Sequence, residues 1–372
     1  MSRYGSICGN PQRPKMNFLL HLNITKPAHK NHVQSKKPLL KNILKSLLSS
    51  NRITSICSHL LKPSVIVLMY HDVCEDSDFS SWLRVKKSSF ESQMRQLQKI
   101  CTFIRPSELF QEHLLSNNRL NILLTFDDGF VNQYRFALPI FEKFSIPALF
   151  FISTENMQTG EIFWFDRIIT PIQVKRIDHL DLRLLGLGNY QFSSKDEIQR
   201  WETIQVLLNG VKEKQKREKH IFQEIMHFFE ENYGSEMQRF IEKYRPLTKD
   251  EILKMKECGF CYFGSHSHKH EILTHLESED IRNNLLESKS CLEAVLGEPV
   301  THISYPNGDV NQTAEMLCKE AGYDYGYTTQ HGVVKEDINR MQIPRISVSG
   351  YDTIQMLFWK INKAMMKTTF AL

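Results

Sequence analysis

The sequence predicts an α/β fold in which parallel strands are covered by helices. Short runs that are apolar along their whole length alternate with segments of helical period, as in sheets buried on both faces. The alternation breaks once, over residues 156–250, where charge density rises and the pattern becomes helical without an obvious strand, so this stretch reads as an insertion. At 372 residues, with 41% hydrophobic and 24% charged residues, the chain is long enough for one large core with additions.

Residues 1–62 precede the alternation as a basic N-terminal extension. They carry eleven Lys or Arg and no Asp or Glu. Such a leader attracts anionic surfaces or remains a solvated tail. Within it, Leu39 to Leu48 sets apolar residues at helical spacing with lysines between them, which suits a short amphipathic helix lying on a membrane surface or on the domain. No apolar run reaches the ~18 residues of a membrane-spanning helix, and Phe18 to Leu20 is too short for the core of a secretory signal. The expectation is a cytoplasmic protein with peripheral contact on the inner membrane face through residues 39–48; the acid-free leader also loosely matches an organelle presequence. The eight cysteines are scattered, unlike a disulfide scaffold, and Cys258 with Cys261 forms a lone CxxC that reads as structural.

The barrel-like remainder, residues 63–372, opens with Val65 to Tyr70, an apolar and partly β-branched strand. Phe90 to Ile100 has helical period behind the candidate N-caps Ser88 and Ser89. Asn121 to Phe126 is the second buried strand, about Asn132 to Phe144 the next helix, and Pro147 to Ile152 the third strand. Beyond the insertion come a helix at Lys249 to Cys258, a strand at Phe260 to Gly264 and a helix at Ser278 to Leu296. Then follow a strand at Thr301 to Tyr305, a helix at Ala314 to Ala321, a strand at Asp324 to Thr328 and a closing helix at Asp352 to Lys363.

Two strand ends carry chemistry. In Thr125-Phe126-Asp127-Asp128-Gly129, adjacent carboxylates stand where an apolar strand stops, and parallel α/β folds place active sites at that end. Side chains alternate along a strand, but a turn at Gly129 lets both carboxylates approach one site, with a cation expected to keep both ionised. The same Asp-Asp-Gly also suits a helix N-cap. In Gly264-Ser265-His266-Ser267-His268-Lys269-His270, three histidines follow a short strand. Two imidazoles with one carboxylate leave a position open for water, as catalytic zinc sites do. One helical turn would align His266 with His270 and point His268 elsewhere; a solvated polar loop is the alternative.

Together these segments resemble the signatures of the NodB-type polysaccharide deacetylases, Thr-Phe-Asp-Asp-Gly and His-Ser/Thr-x-x-His, over roughly residues 65–350. The resemblance implies an irregular (β/α)7 barrel with a helical insertion. It implies Asp127 as general base, and Asp128, His266 and His270 as ligands of a divalent metal: zinc first, with cobalt, nickel or iron also suited. The metal would polarise the amide carbonyl and acidify a water. The oxyanion would need the metal and a backbone N–H. Tyr305-Pro306-Asn307-Gly308 occupies the place of the third motif, which makes Asn307 the donor, where a Tyr is usual, with Tyr305 and Pro306 beside it. Val67-Leu68-Met69-Tyr70-His71-Asp72-Val73 resembles the Met-Tyr-His segment of rearranged members and makes His71 the general acid. Asp72 would tune it or lie at the surface. Ser304 stands where an arginine commonly opens the third motif, and Arg345 is the candidate replacement for holding Asp127.

Ile162-Phe163-Trp164-Phe165-Asp166 opens the insertion with an aromatic cluster. Trp164 there is a candidate for stacking on a sugar ring, and docking the insertion on the barrel is the other reading. The expected partner is an N-acetylated glycan or a lipid-linked sugar; without a reading motif, nucleic acid is not expected. An O-acetyl ester, another acyl amide, or a non-catalytic glycan-binding role are the alternatives.

Overall fold

In the computed structural model, residues 49–50, 53–54, 65–79, 81–111, 114 and 120–370 are described, so the amphipathic segment expected at 39–48 lies outside the described residues. The chain order is β1 (Val65–Tyr70), β2 (Asp72–Cys74), β3 (Arg84–Lys86), α1 (Lys87–Leu97), β4 (Cys101–Phe103) and β5 (Leu120–Phe126). Next come α2 (Leu138–Phe144), β6 (Ala148–Ile152), α3 (Thr154–Thr159), α4 (Trp164–Val174), β7 (His179–Asp181) and β8 (Asn189–Gln191). Then follow α5 (Glu197–Arg217), α6 (Lys219–Tyr244), α7 (Lys249–Glu257), β9 (Cys261–Ser265) and α8 (Ser278–Leu296). The last are β10 (His302–Ser304), α9 (Gln312–Glu320), β11 (Tyr325–Tyr327), β12 (Ile346–Ser347) and α10 (Ile354–Phe370).

Seven strands form a curled parallel sheet in the order β11-β10-β9-β6-β5-β1-β12, with β4 paired at the base of β5. A parallel bridge from Tyr327 to Ile343 brings β11 beside the segment that leads into β12, as in a (β/α)7 barrel. Alternation along each strand explains why both faces are apolar. Val65 and Val67 of β1 join Leu123, Leu149, Phe151 and Tyr327 in the inner core. Ile66, Leu68 and Tyr70 point outward and pack with Phe90, Met94 and Phe141 of the covering helices.

Register decides where the functional ends fall. Tyr70 pairs with Phe126, Ile152 with Ser265, and Ser265 with Ile303. All these strands run parallel, so His71, Asp127, His266 and Ser304 emerge on one rim.

Between α3 and α7 the chain builds a hydrophobic cluster of its own from Phe163, Phe165, Ile168, Trp201, Ile204, Leu207 and Phe229. Beside the expected helices this stretch holds two short strands that the sequence did not show: β7 and β8 form an antiparallel hairpin. Each hairpin strand buries a single residue, Leu180 or Tyr190, too little for an alternating pattern to show in the sequence. The helix expected from about Asn132 starts with a π turn at Gln133–Ala137 before α2, and the closing helix runs on to Phe370. Among the described residues, no helix is long and apolar enough to cross a membrane.

Candidate active site

At the end of β5 the chain turns one residue earlier than the glycine suggests. Asp128 itself is left-handed, with φ 72°, and Gly129 follows at φ 81°. A Cβ on Gly129 would approach Ile152 Cδ1, the tip of a flexible side chain, to 2.9 Å, so it is the left-handed backbone more than the packing that favours glycine. This double turn swings the Asp128 carboxylate to the rim already occupied by Asp127.

The histidines reach the same rim from a loop, not from the helical turn that spacing suggested. Ser267 and His270 are left-handed, at φ 65° and 52°, and fold the segment back so that the His266 and His270 rings lie 4.9 Å apart. Their Nε2 atoms stand 3.3 and 3.1 Å from Asp128 Oδ1. Nδ1 of His266 is 2.8 Å from the Ser304 carbonyl, which fixes the tautomer that leaves Nε2 as a lone pair. The donor atoms of Asp128, His266 and His270 all lie within 4.8 Å of one another, the one such group among the described residues. One carboxylate and two imidazoles, mostly buried and with a fixed tautomer, fit a divalent transition metal. Burial alone would raise the Asp128 carboxyl; the His266 and His270 rings that face it hold it well below the usual carboxylate range. His268 points away, to Thr154 Oγ1 at 2.8 Å and Glu287 at 3.3 Å.

Asp127 is held separately. The guanidinium of Arg345 donates to both carboxylate oxygens, at 2.7 and 2.8 Å, with both residues buried. Ser304 Oγ donates to Asp127 at 3.2 Å and accepts from Arg345 at 2.8 Å. Thr328 O and Thr125 Oγ1 accept the remaining Arg345 bonds, at 2.9 and 3.3 Å. Burial opposes ionisation of Asp127, but the charge and hydrogen bonds of Arg345 together with the fields of His266 and His71 keep the carboxyl below its ordinary value. The small Ser304 leaves room for a guanidinium arriving from the segment before β12.

His71 follows β1 on the same rim. Burial pushes its pKa down, opposed by the fields of Asp128 and Asp127. Asn307, in the loop after β10, has a left-handed backbone, φ 61° and ψ −4°.

The family described as Polysaccharide deacetylase matches residues 116–184 and 218–326, which include both the carboxylate pair and the histidine loop. The chain belongs to the polysaccharide deacetylase family. YxkH of Bacillus subtilis (strain 168), a protein named as a polysaccharide deacetylase, is 21% identical over 293 residues, covering 77% of this chain and 73% of its own length. The Streptococcus pyogenes deacetylase PplD, solved in complex with acetate, shares the fold at a TM-score of 0.53 and 18% identity, over 81% of this chain and 99% of its own. IcaB from Ammonifex degensii does so at 0.53 and 17%, over 81% and 98%.

Other residues of this deacetylase fall where the sequence did not place them. Tyr305 is fully buried and its hydroxyl donates to Met341 O at 3.0 Å, so with the buried Pro306 it supports the loop from below instead of facing substrate. Trp164 packs edge-on against Phe165 and against Phe222 of α6, docking α6 on α4. Phe163 and Phe165 are the rings that meet His270, at 5.1 and 5.5 Å. Asp72 is buried, not a surface residue. It lies 3.4 Å from Arg84, which also pairs with the buried Asp166 and sits 3.9 Å over the Tyr244 ring. Two carboxyls share one guanidinium there, and burial pushes Asp72 up to about 7 despite it. Cys258 and Cys261 are free thiols with Sγ atoms 3.6 Å apart.

One residue was missed altogether. Gln133, in the π turn, donates from Nε2 to the carbonyls of His71 at 2.7 Å and Asp127 at 2.8 Å, and so clamps the two strand ends together. Only a three-dimensional register reveals it.

The Arg345 geometry carries its own expectation. Arg345→Ala leaves a buried carboxylate without its cation, which costs about 3–5 kcal/mol of folding stability and slows turnover by roughly 100-fold, the lower scale of base catalysis. Metal affinity should change little, because Arg345 touches none of Asp128, His266 or His270. Steady-state rates beside a metal titration check this; equal loss in both would remove the orienting role.

Proposed function

We propose that this deacetylase hydrolyses the N-acetyl group of an amino sugar in an acetylated glycan, with Asp127 as base and His71 as acid. The observation that supports it best is the division of labour between neighbours. Asp128 converges with His266 and His270 on one point, while Asp127 is kept apart from that group and ionised by a two-point grip from Arg345. A divalent ion held by Asp128, His266 and His270, with zinc the first candidate, would polarise the acetyl carbonyl and bring the pKa of water toward neutrality.

The chain's own groups do the rest. Asp127 accepts the proton as water oxygen bonds to the acetyl carbon. On this reading the backbone N–H of Asn307 would donate to the developing oxyanion. His71 then protonates the departing amine as the carbon–nitrogen bond breaks, giving acetate and a free amino sugar; before the reaction, the fields of ionised Asp128 and Asp127 oppose the burial that lowers its pKa. Phe163 and Phe165 wall the His270 side against water.

Acetate release from N-acetylated glycans, O-acetylated sugars and lipid-linked N-acetyl sugars, with and without chelator, tests the reading. N-acetyl substrates should be turned over and chelator should stop the reaction. Turnover confined to O-acetyl esters, or insensitive to chelator, would overturn it.

A further inference from the structure

Helix α5 lies in the 185–217 stretch that the family match leaves out, yet it sends one side chain to the loop after β10. Nζ of Lys212 donates to Asn307 Oδ1 at 2.6 Å. On its other side the Asn307 amide donates from Nδ2 to Asp309 Oδ2, also at 2.6 Å, and Thr329 Oγ1 donates to the Asn307 carbonyl at 3.4 Å. Both ends of this side chain are thus gripped, one by the insertion and one by the loop itself.

The loop needs such a grip. Asn307 holds a left-handed backbone that few side chains tolerate, and Gly308 follows at φ 78°, where a Cβ would meet Thr329 Oγ1 at 2.2 Å. Two consecutive left-handed residues turn the amide plane of residue 307, and a rotation of that plane would carry its N–H away from the reacting carbonyl. Catalytic donors have to be held to within a fraction of an ångström to be effective. Lys212 is half-buried, with its ammonium bonded to the Asn307 side chain.

We propose that Lys212 is a positioning residue: through its bond to the Asn307 side chain, the insertion fixes the Asn307 amide in the orientation that catalysis uses. The proposal rests on the reading of Asn307 as oxyanion donor. It gives the insertion a function beyond packing, because without α5 the third-motif loop would be held from one side only.

The test uses the full-length, zinc-loaded protein and the variants Lys212→Met, Lys212→Arg, Asn307→Gly, and Lys212→Met with Asn307→Gly. Glycine keeps the left-handed backbone and removes the side-chain amide, both the Oδ1 that Lys212 grips and the Nδ2 that binds Asp309. Hydrogen–deuterium exchange should show faster exchange across residues 305–309 in Lys212→Met. On the acetylated glycan that the wild type cleaves best, kcat should fall roughly tenfold, the scale of one charge-assisted hydrogen bond. KM, zinc content and Tm should stay near wild-type values. Lys212→Arg should recover most of the rate, and Lys212→Met should cost nothing further in the Asn307→Gly background. Unchanged exchange in Lys212→Met overturns the proposal whatever the rates do. Faster exchange with an unaltered kcat also overturns it, and traces the failure to the role given to Asn307. Losses that add in the double variant would mean that Lys212 acts on substrate directly.

Discussion

Replacing Asp127 with Asn is expected to lower kcat by about 1,000-fold, within the range that a positioned general base contributes, while zinc content stays at the wild-type level. The amide keeps the size and most of the contacts of the carboxylate but cannot take a proton from water. It also leaves the Arg345 guanidinium buried opposite a neutral group, so stability should fall by about 3–5 kcal/mol, as when one partner of a buried ion pair is removed. Rates are therefore to be compared at a temperature where denaturant titration shows both proteins folded. Retention of more than a tenth of the activity would exclude Asp127 as the base. Loss of zinc together with activity would mean that Asp127 is a ligand, contrary to its pairing with Arg345 at 2.7 and 2.8 Å.

Dismantling the Asp128, His266 and His270 group should have the larger effect. Asp128→Ala removes the group from which both Nε2 atoms lie 3.1–3.3 Å away, and the two remaining imidazoles make a much weaker site. Zinc content by elemental analysis and acetate release should vanish together. In the wild type, dialysis against chelator should abolish turnover and added zinc should restore it; Asp128→Ala should stay inactive under the same addition. His268→Ala is the internal control, because its ring faces Thr154 and Glu287 and not the metal group. A chelated wild type that still releases acetate would refute the metal reading, whatever the geometry.

What could be read in advance depended on how locally each feature is encoded. The Asp127-Asp128-Gly129 turn was legible because strand, carboxylates and glycine are contiguous, and the barrel strands because fully apolar runs carry their own signature. Arg345 was legible by argument: a buried base needs a fixed cation, and Ser304 could not supply it. The histidine loop was half legible. Its residues were evident, but its shape depends on left-handed backbone at Ser267 and His270, which neither residue type announces. The Asp72, Arg84 and Asp166 cluster, Gln133 and Lys212 were not legible, since each acts across a tertiary contact. Arg84 and Asp166 are 82 residues apart, and Lys212 and Asn307 are 95. β2 and β3, at three residues each, are too short to display a period.

The grip of Arg345 on Asp127 spans 218 residues of chain. At about 5–20 residues per second on the ribosome, the carboxylate is made roughly 10–45 s before its guanidinium. His270 is made only about 75 residues before Arg345, so a nascent chain that holds Asp128, His266 and His270 has a base without its fixed orientation for just the last roughly 4–15 s of that interval. On the proposed reading, hydrolysis would wait for the segment around Arg345, which completes the grip on the base.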